Sequence, residues 1–242
     1  MTSGRAGRNA VAASVTDPAA IRDAASVLVI DRAGPQGPAV LMGMRGETAA
    51  FMPSKYVFPG GAVDQGDAAI VCATPGPGCL ARLDAHLRTD AAARGPAIAA
   101  AALRELAEET GLMVGRPGHA AVNWPEYAQA ALVTDASALI YVFRAITPPG
   151  RPRRFDARFF VIDAENLHGD RNDFSRASDE LSHLHWVALG EARRLNLPFI
   201  TEVVLAEVQA LVAAAGDGPL RAPESVPFFD NEGPTPGFQR ID

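Results

Sequence analysis

Residues 104–112 read Arg-Glu-Leu-Ala-Glu-Glu-Thr-Gly-Leu, and three of their side chains, Glu105, Glu108 and Glu109, are carboxylates at i, i+3 and i+4. On an α-helix these positions share one face within about one turn. Like charges at that spacing repel, and a divalent cation placed between them turns the repulsion into a site. Hard cations take oxygen ligands, and a few carboxylates together with substrate phosphates meet that need. The plainer reading is a solvated face of an Ala-rich helix. Two neighbours weigh against it: Arg104 can pair with a carboxylate and hold it in place, and Gly111 stands where a helix ends on a C′ glycine.

Upstream lies Tyr56-Val57-Phe58-Pro59-Gly60-Gly61-Ala62-Val63-Asp64-Gln65-Gly66-Asp67, an apolar strand-like run meeting a Pro-Gly-Gly turn. Such a turn needs no further role, but glycines also let the backbone approach a ligand, and their carbonyls can reach a metal. Together the two segments resemble the Nudix hydrolase family. Its box runs Gly, five residues, Glu, seven residues, then Arg-Glu-aliphatic-x-Glu-Glu-x-Gly-aliphatic. Arg104, Glu105, Leu106, Glu108, Glu109, Gly111 and Leu112 match every defined position of the second half. Gly61 matches the first, with Asp67 where the box has Glu. The resemblance implies metal ligation by the Gly60 carbonyl and by Glu105, Glu108 and Glu109.

Residues 68–103 separate the two halves, far more than the usual seven. A surface insertion costs little, because loop-closure entropy grows only logarithmically with length, so the strand–loop–helix geometry can survive it. The insert carries a breaker-rich loop, Thr74 to Gly78, an expected helix over Leu80–Thr89, and Gly95-Pro96 ahead of an expected helix over Ala97–Glu109. An interrupted box is similar to the Nudix subgroup of the peroxisomal coenzyme A diphosphatase type (Nudix-type motif 19), as are Arg153 to Phe160 and the segment ending in Trp186.

The family resemblance implies hydrolysis of a nucleoside diphosphate linked to another moiety, with Mg²⁺ or Mn²⁺ offsetting phosphate charge and activating water. Coenzyme A or its acyl derivatives are the favoured substrates; ADP-ribose, NADH and dinucleoside polyphosphates are rivals. A Nudix-fold nucleotide-binding module without turnover is the other class, although a pure binder has no need of three mutually repelling carboxylates. Arg104 would orient a glutamate. Glu108 or Glu109 would be the general base, with Glu180, shortly before Trp186, a second candidate beside its reading as a polar turn. Arg45 follows a strand upstream of the glycine turn and is a phosphate-contact candidate. Arg154 and Arg158 flank Asp156, and alternation puts all three on one face. They read as a phosphate clamp or as a structural ion-pair ladder, the ladder being favoured because an Asp between two Args satisfies both. His183 and His185 read as strand-surface residues.

The elements that must position these groups follow from pattern. Strands are expected over Ala25–Asp31 and Ala39–Arg45, joined by the Gly34–Pro38 turn, and at Tyr56–Phe58, Ala62–Val63, Ala138–Thr147, Phe155–Asp163 and His185–Leu189. Helical segments are expected over Trp124–Leu132, Glu191–Leu195 and Phe199–Ala214, and the tail after Gly216 reads as surface chain. Strands interleaved with helices predict an α/β fold with a mixed sheet, consistent with the α/β/α sandwich that the resemblance implies. The expected organisation is a flexible segment 1–20 and one domain over 21–242 with the insert at 68–103. With 242 residues, 48% hydrophobic and 21% charged, the composition is globular. A net charge of −6 argues against nucleic-acid binding through bulk electrostatics. Lys55 is the only lysine, so positive charge is almost all arginine. Cys72 and Cys79 lack partners at zinc spacing. No secretory leader, membrane span or Ser-Lys-Leu ending is visible, which gives a cytoplasmic expectation. A small-molecule nucleotide diphosphate is the expected partner, with homodimerisation implied by the resemblance.

Overall fold

The computed structural model describes residues 20–47, 52–70 and 72–242; the expected flexible segment lies almost wholly outside them. In chain order the strands are β1 (Ile21–Asp31), β2 (Ala39–Arg45), β3 (Tyr56–Val57) and β4 (Gly60–Ala62), followed by a 3₁₀ turn at Gln65–Ala69 and helices α1 (Pro77–Leu83) and α2 (Gly95–Thr110). Next come β5 (Gly115–Pro117), α3 (Pro125–Gln129), β6 (Leu132–Thr134), β7 (Ile140–Ile146), β8 (Arg154–Asp163), β9 (Leu181–Ala188), α4 (Phe199–Ala215), β10 (Val226–Asp230) and β11 (Gly237–Ile241).

One mixed sheet runs β11-β10-β7-β8-β1-β2-β3, with β4 added to β1 and β9 added to β2. β1 runs parallel to β8 over ten residue pairs, and β10 parallel to β7. Central β1 is apolar on both faces, Val27 to Ile30 being fully buried, as a strand covered on both sides must be. Val27, Val29, Leu41 and Phe160 pack under α2, while Leu28, Ile30, Met42 and Val161 pack under α4. The result is helix layers on both faces of a mixed α/β sheet.

α2 is set by its sequence. Pro96 occupies the first turn, the alanines favour helix and permit close packing, and Gly111 ends it at φ 76°, its N–H donating to Ala107 O.

Three expectations change. α1 starts at Pro77 and stops at Leu83, short of Thr89, because Pro77 sits in its first turn and His86 turns the chain at φ 51°. The Trp124–Leu132 helix ends at Gln129; Ala131 adopts φ 53°, and Leu132 opens β6 against β5. The tail after Gly216 is not all surface chain. β10 and β11 extend the sheet, and Val226, Phe228 and Ile241 enter the core beneath the insert and α2. Pro227 masks β10 as a strand by local pattern, and its partner β7 lies far away in sequence.

The insert is tied down by a buried polar joint on the α2 face. Arg88 donates to Asp156 (3.0 Å) and Asp23 (3.2 Å), and Arg144 forks Asp156 at 2.8 Å through each of two nitrogens. Arg144 also donates to the carbonyls of Ala85 and His86, and Ala93 N–H donates to Asp23. Arg154, Asp156 and Arg158 do share this face and are all buried. Arg158 pairs with Asp23 and Asp156, while Arg154 donates to the carbonyls of Thr147, Asn231 and Glu232. As substrate-contact candidates they lie in this joint, bonded to protein groups. The ladder is only half realised: Asp156 pairs with Arg158, and with Arg88 and Arg144, whereas Arg154 turns to backbone carbonyls instead of Asp156.

Candidate active site

The glycine bend and the α2 carboxylates meet. β4 pairs antiparallel with β1, Ser26 opposite Gly60 and Ala25 opposite Gly61. A Cβ on Gly60 would lie 2.4 Å from both Ala25 O and Ser26 Oγ, and one on Gly61 would lie 2.4 Å from Glu105 Oε1. Both positions are therefore glycine for lack of space: the first closes the sheet, the second admits a carboxylate. Gly60 N–H donates to Glu109 Oε2 at 2.7 Å, bringing the last turn of α2 onto the bend.

Arg104 organises the rest. Its Nη1 donates to Glu105 Oε1 (2.8 Å) and Glu108 Oε2 (2.9 Å). Its other edge forks Asp67, Nε to Oδ1 at 2.9 Å and Nη2 to Oδ2 at 3.1 Å, and Nη2 also donates to Ala62 O. Burial works against the Arg104 charge, but Asp67, Glu105 and Glu108 together raise its pKa. Asp67, 1% exposed, thus takes a buried place beside the arginine although the whole insert intervenes, and it also accepts from Asp64 N–H. Its position in the box was the one local signal for this role.

The site holds surplus negative charge. Burial, opposed by Arg104 and reinforced by Glu108 and Glu180, pushes Glu105 up to about 7. Burial pushes Glu109 up to about 8; the Gly60 hydrogen bond and Arg45 oppose this, and Glu105 and Glu180 add to it. Burial also raises Glu108, against Arg104. Glu180, at the entry to β9, therefore comes within electrostatic reach of the cluster, on a loop held by Ser178 N–H donating to Glu108 O at 2.9 Å. Arg45, at the end of β2, comes within electrostatic reach of Glu109, and its buried Nε has no hydrogen-bond partner among the described residues. The structure thus gathers Gly60, Arg104, Glu105, Glu108, Glu109, Glu180 and Arg45, and leaves Arg154 and Arg158 in the joint beneath the insert. His183 and His185 are exposed on β9.

No group of three or more His, Cys, Asp or Glu among the described residues is drawn together tightly enough to hold a metal as it stands. The donor chemistry nevertheless fits a hard dication. Glu105 Oε2 and Glu109 Oε1 carry no hydrogen bond among the described residues and so keep lone pairs for a cation. One arginine, Arg104, faces the carboxylates of Asp67, Glu105 and Glu108.

No protein-family model matches the chain. A Caenorhabditis elegans protein named nudix hydrolase 7 is 31% identical over 163 residues, 61% of this chain and 46% of that protein. The chain therefore spans about half the length of the curated relative it matches. The crystal structure of a NUDIX hydrolase from Alicyclobacillus acidocaldarius superposes with a TM-score of 0.57 at 27% identity, covering 79% of this chain and 92% of the other. The chain has the Nudix fold, and these likenesses support the Nudix hydrolase family. A MutT NUDIX hydrolase from Burkholderia pseudomallei is more distant, at 16% identity and a TM-score of 0.45 over 78% of this chain. Within this Nudix fold no helix among the described residues is long and apolar enough to cross a membrane.

Proposed function

We propose that this chain is a metal-dependent pyrophosphohydrolase that cleaves the diphosphate of a nucleoside diphosphate linked to another moiety, with coenzyme A or acyl-coenzyme A the favoured substrate. The observation that carries the reading is the Glu105–Glu108–Glu109 stripe facing the Gly60–Gly61 bend with more negative charge than Arg104 can balance. The three glutamates and the Gly60 carbonyl would hold Mg²⁺ or Mn²⁺, which when bound supplies charge neutralisation at the diphosphate and acidifies water.

The chain's own residues do the rest. Arg104, gripped by Asp67, fixes the rotamers of Glu105 and Glu108. Gly60 N–H fixes Glu109. Arg45 Nε is a buried donor without an acceptor among the described residues and suits a phosphate oxygen. The attacking water gives its proton to a carboxylate: Glu108 or Glu109, with Glu180, exposed at the entry to β9, the second candidate. The interrupted box supports the coenzyme A preference. Homodimeric assembly and a cytoplasmic location belong to the same reading, and light scattering tests the first.

Phosphate release from coenzyme A, an acyl-coenzyme A, ADP-ribose, NADH and a dinucleoside polyphosphate, with and without Mg²⁺, tests the function. Metal-dependent turnover led by coenzyme A is expected. Equal rates across the panel would remove the substrate preference. Nucleotide binding without turnover of any member would leave a non-catalytic module.

A further inference from the structure

The polar joint beneath the insert is incomplete. Arg158 is fully buried, and its Nη1 is already used by Asp23 Oδ1 (2.7 Å) and by the Asp156 carbonyl (2.9 Å). Its Nε and Nη2 are buried and have no hydrogen-bond partner among the described residues. These two nitrogens share one edge of the guanidinium, the edge whose parallel N–H groups fork a single acceptor. Tyr141 Oη, on the neighbouring strand and on the same face, is likewise buried and unpartnered, in a residue 2% exposed. The phenol feels the charges of both Arg144 and Arg158. A buried donor left without a partner is costly, more so when it is charged, so an acceptor is required here.

The charge of the joint says which kind. Arg88, Arg144 and Arg158 have side chains no more than 1% exposed, and the carboxylates buried with them are Asp23 and Asp156. The remaining carboxylate, Asp90, is 68% exposed and pairs with the opposite edge of Arg88. Among the five buried side chains there is one more cation than anion, and three buried donors, Arg158 Nε and Nη2 and Tyr141 Oη, lack acceptors among the described residues. Arg144 cannot relieve it, being committed to Asp156, to two carbonyls of the insert, and to the face of Phe228 at 4.2 Å.

We propose that the Arg158 Nε–Nη2 edge and Tyr141 Oη form a binding site for a small monovalent anion of halide size, which completes the joint between insert and sheet. The inference is independent of the hydrolase reading, because neither residue belongs to the Gly60–Glu109 cluster.

The test is thermal unfolding of the full chain at constant ionic strength, titrating chloride or bromide against gluconate, with a crystal grown in bromide for anomalous scattering. A saturable rise in Tm with either halide, and a bromide peak within hydrogen-bonding distance of Arg158, are expected. Arg158→Lys keeps the charge but loses the fork, and should abolish the halide dependence; Tyr141→Phe should weaken it. Both wild-type measurements stand even if a variant fails to fold. Indistinguishable Tm values in halide and gluconate, or ordered water at the fork in the bromide crystal, would overturn the proposal.

Discussion

Asp67 and Arg104 meet through two parallel hydrogen bonds, at 2.9 and 3.1 Å, although the insert 68–103 lies between them in the chain. Asp67 holds one edge of the guanidinium so that the remaining nitrogen faces Glu105 and Glu108. Asp67→Asn breaks a buried pair and should cost about 3–5 kcal/mol in denaturant unfolding. It should also raise the Mg²⁺ concentration needed for half-maximal activity, because Arg104 is then freer to occupy the glutamates. An unchanged Mg²⁺ requirement would mean that Arg104 does not compete for them.

Glu109→Gln keeps the size of the side chain and removes its charge. At least a tenfold loss of turnover, a cost of about 1.4 kcal/mol or more in the barrier, is expected in steady-state assays. EDTA should abolish wild-type activity, with recovery on adding Mg²⁺. Turnover indifferent to both treatments would refute the site.

Gly61→Ala separates stability from function. The added methyl would lie 2.4 Å from Glu105 Oε1, so the carboxylate rather than the backbone must swing aside and give up its hydrogen bond from Arg104. Stability should change by less than about 1 kcal/mol, while turnover falls more than about tenfold. Unfolding curves and rates on the same preparation check the split.

Asp156 gives the fold an acid limit. Burial alone would raise its pKa, but the hydrogen bond from Arg144 and the charges of Arg158 and Arg144 more than reverse that and hold it below the ordinary Asp value. A carboxyl depressed in the folded state stabilises fully above its unfolded pKa, about 3.9, and loses that contribution as pH falls through the folded value. Wild-type stability should therefore drop as pH falls below about 4. Asp156→Asn should be weaker than wild type at pH 6, with the gap narrowing toward pH 3. Urea unfolding across that range measures it.

What the sequence by itself determined is local. The i, i+3, i+4 glutamates, the Gly-Gly bend, the C′ glycine of α2 and the apolar strand-like runs of β1, β2, β7 and β8 all show within a few residues, where periodicity and turn chemistry decide. The common face of Arg154, Asp156 and Arg158 was legible for the same reason. Only the tertiary structure decided what that face meets: Arg88 from the insert, and the Asn231 and Glu232 carbonyls from the turn between β10 and β11. Tertiary structure likewise paired Asp67 with Arg104, brought Glu180 to the glutamates, and drew Val226 and Ile241 into the sheet as strands. Each of these joins residues far apart in the chain, and no local pattern encodes which distant partner will satisfy a buried charge or an open strand edge.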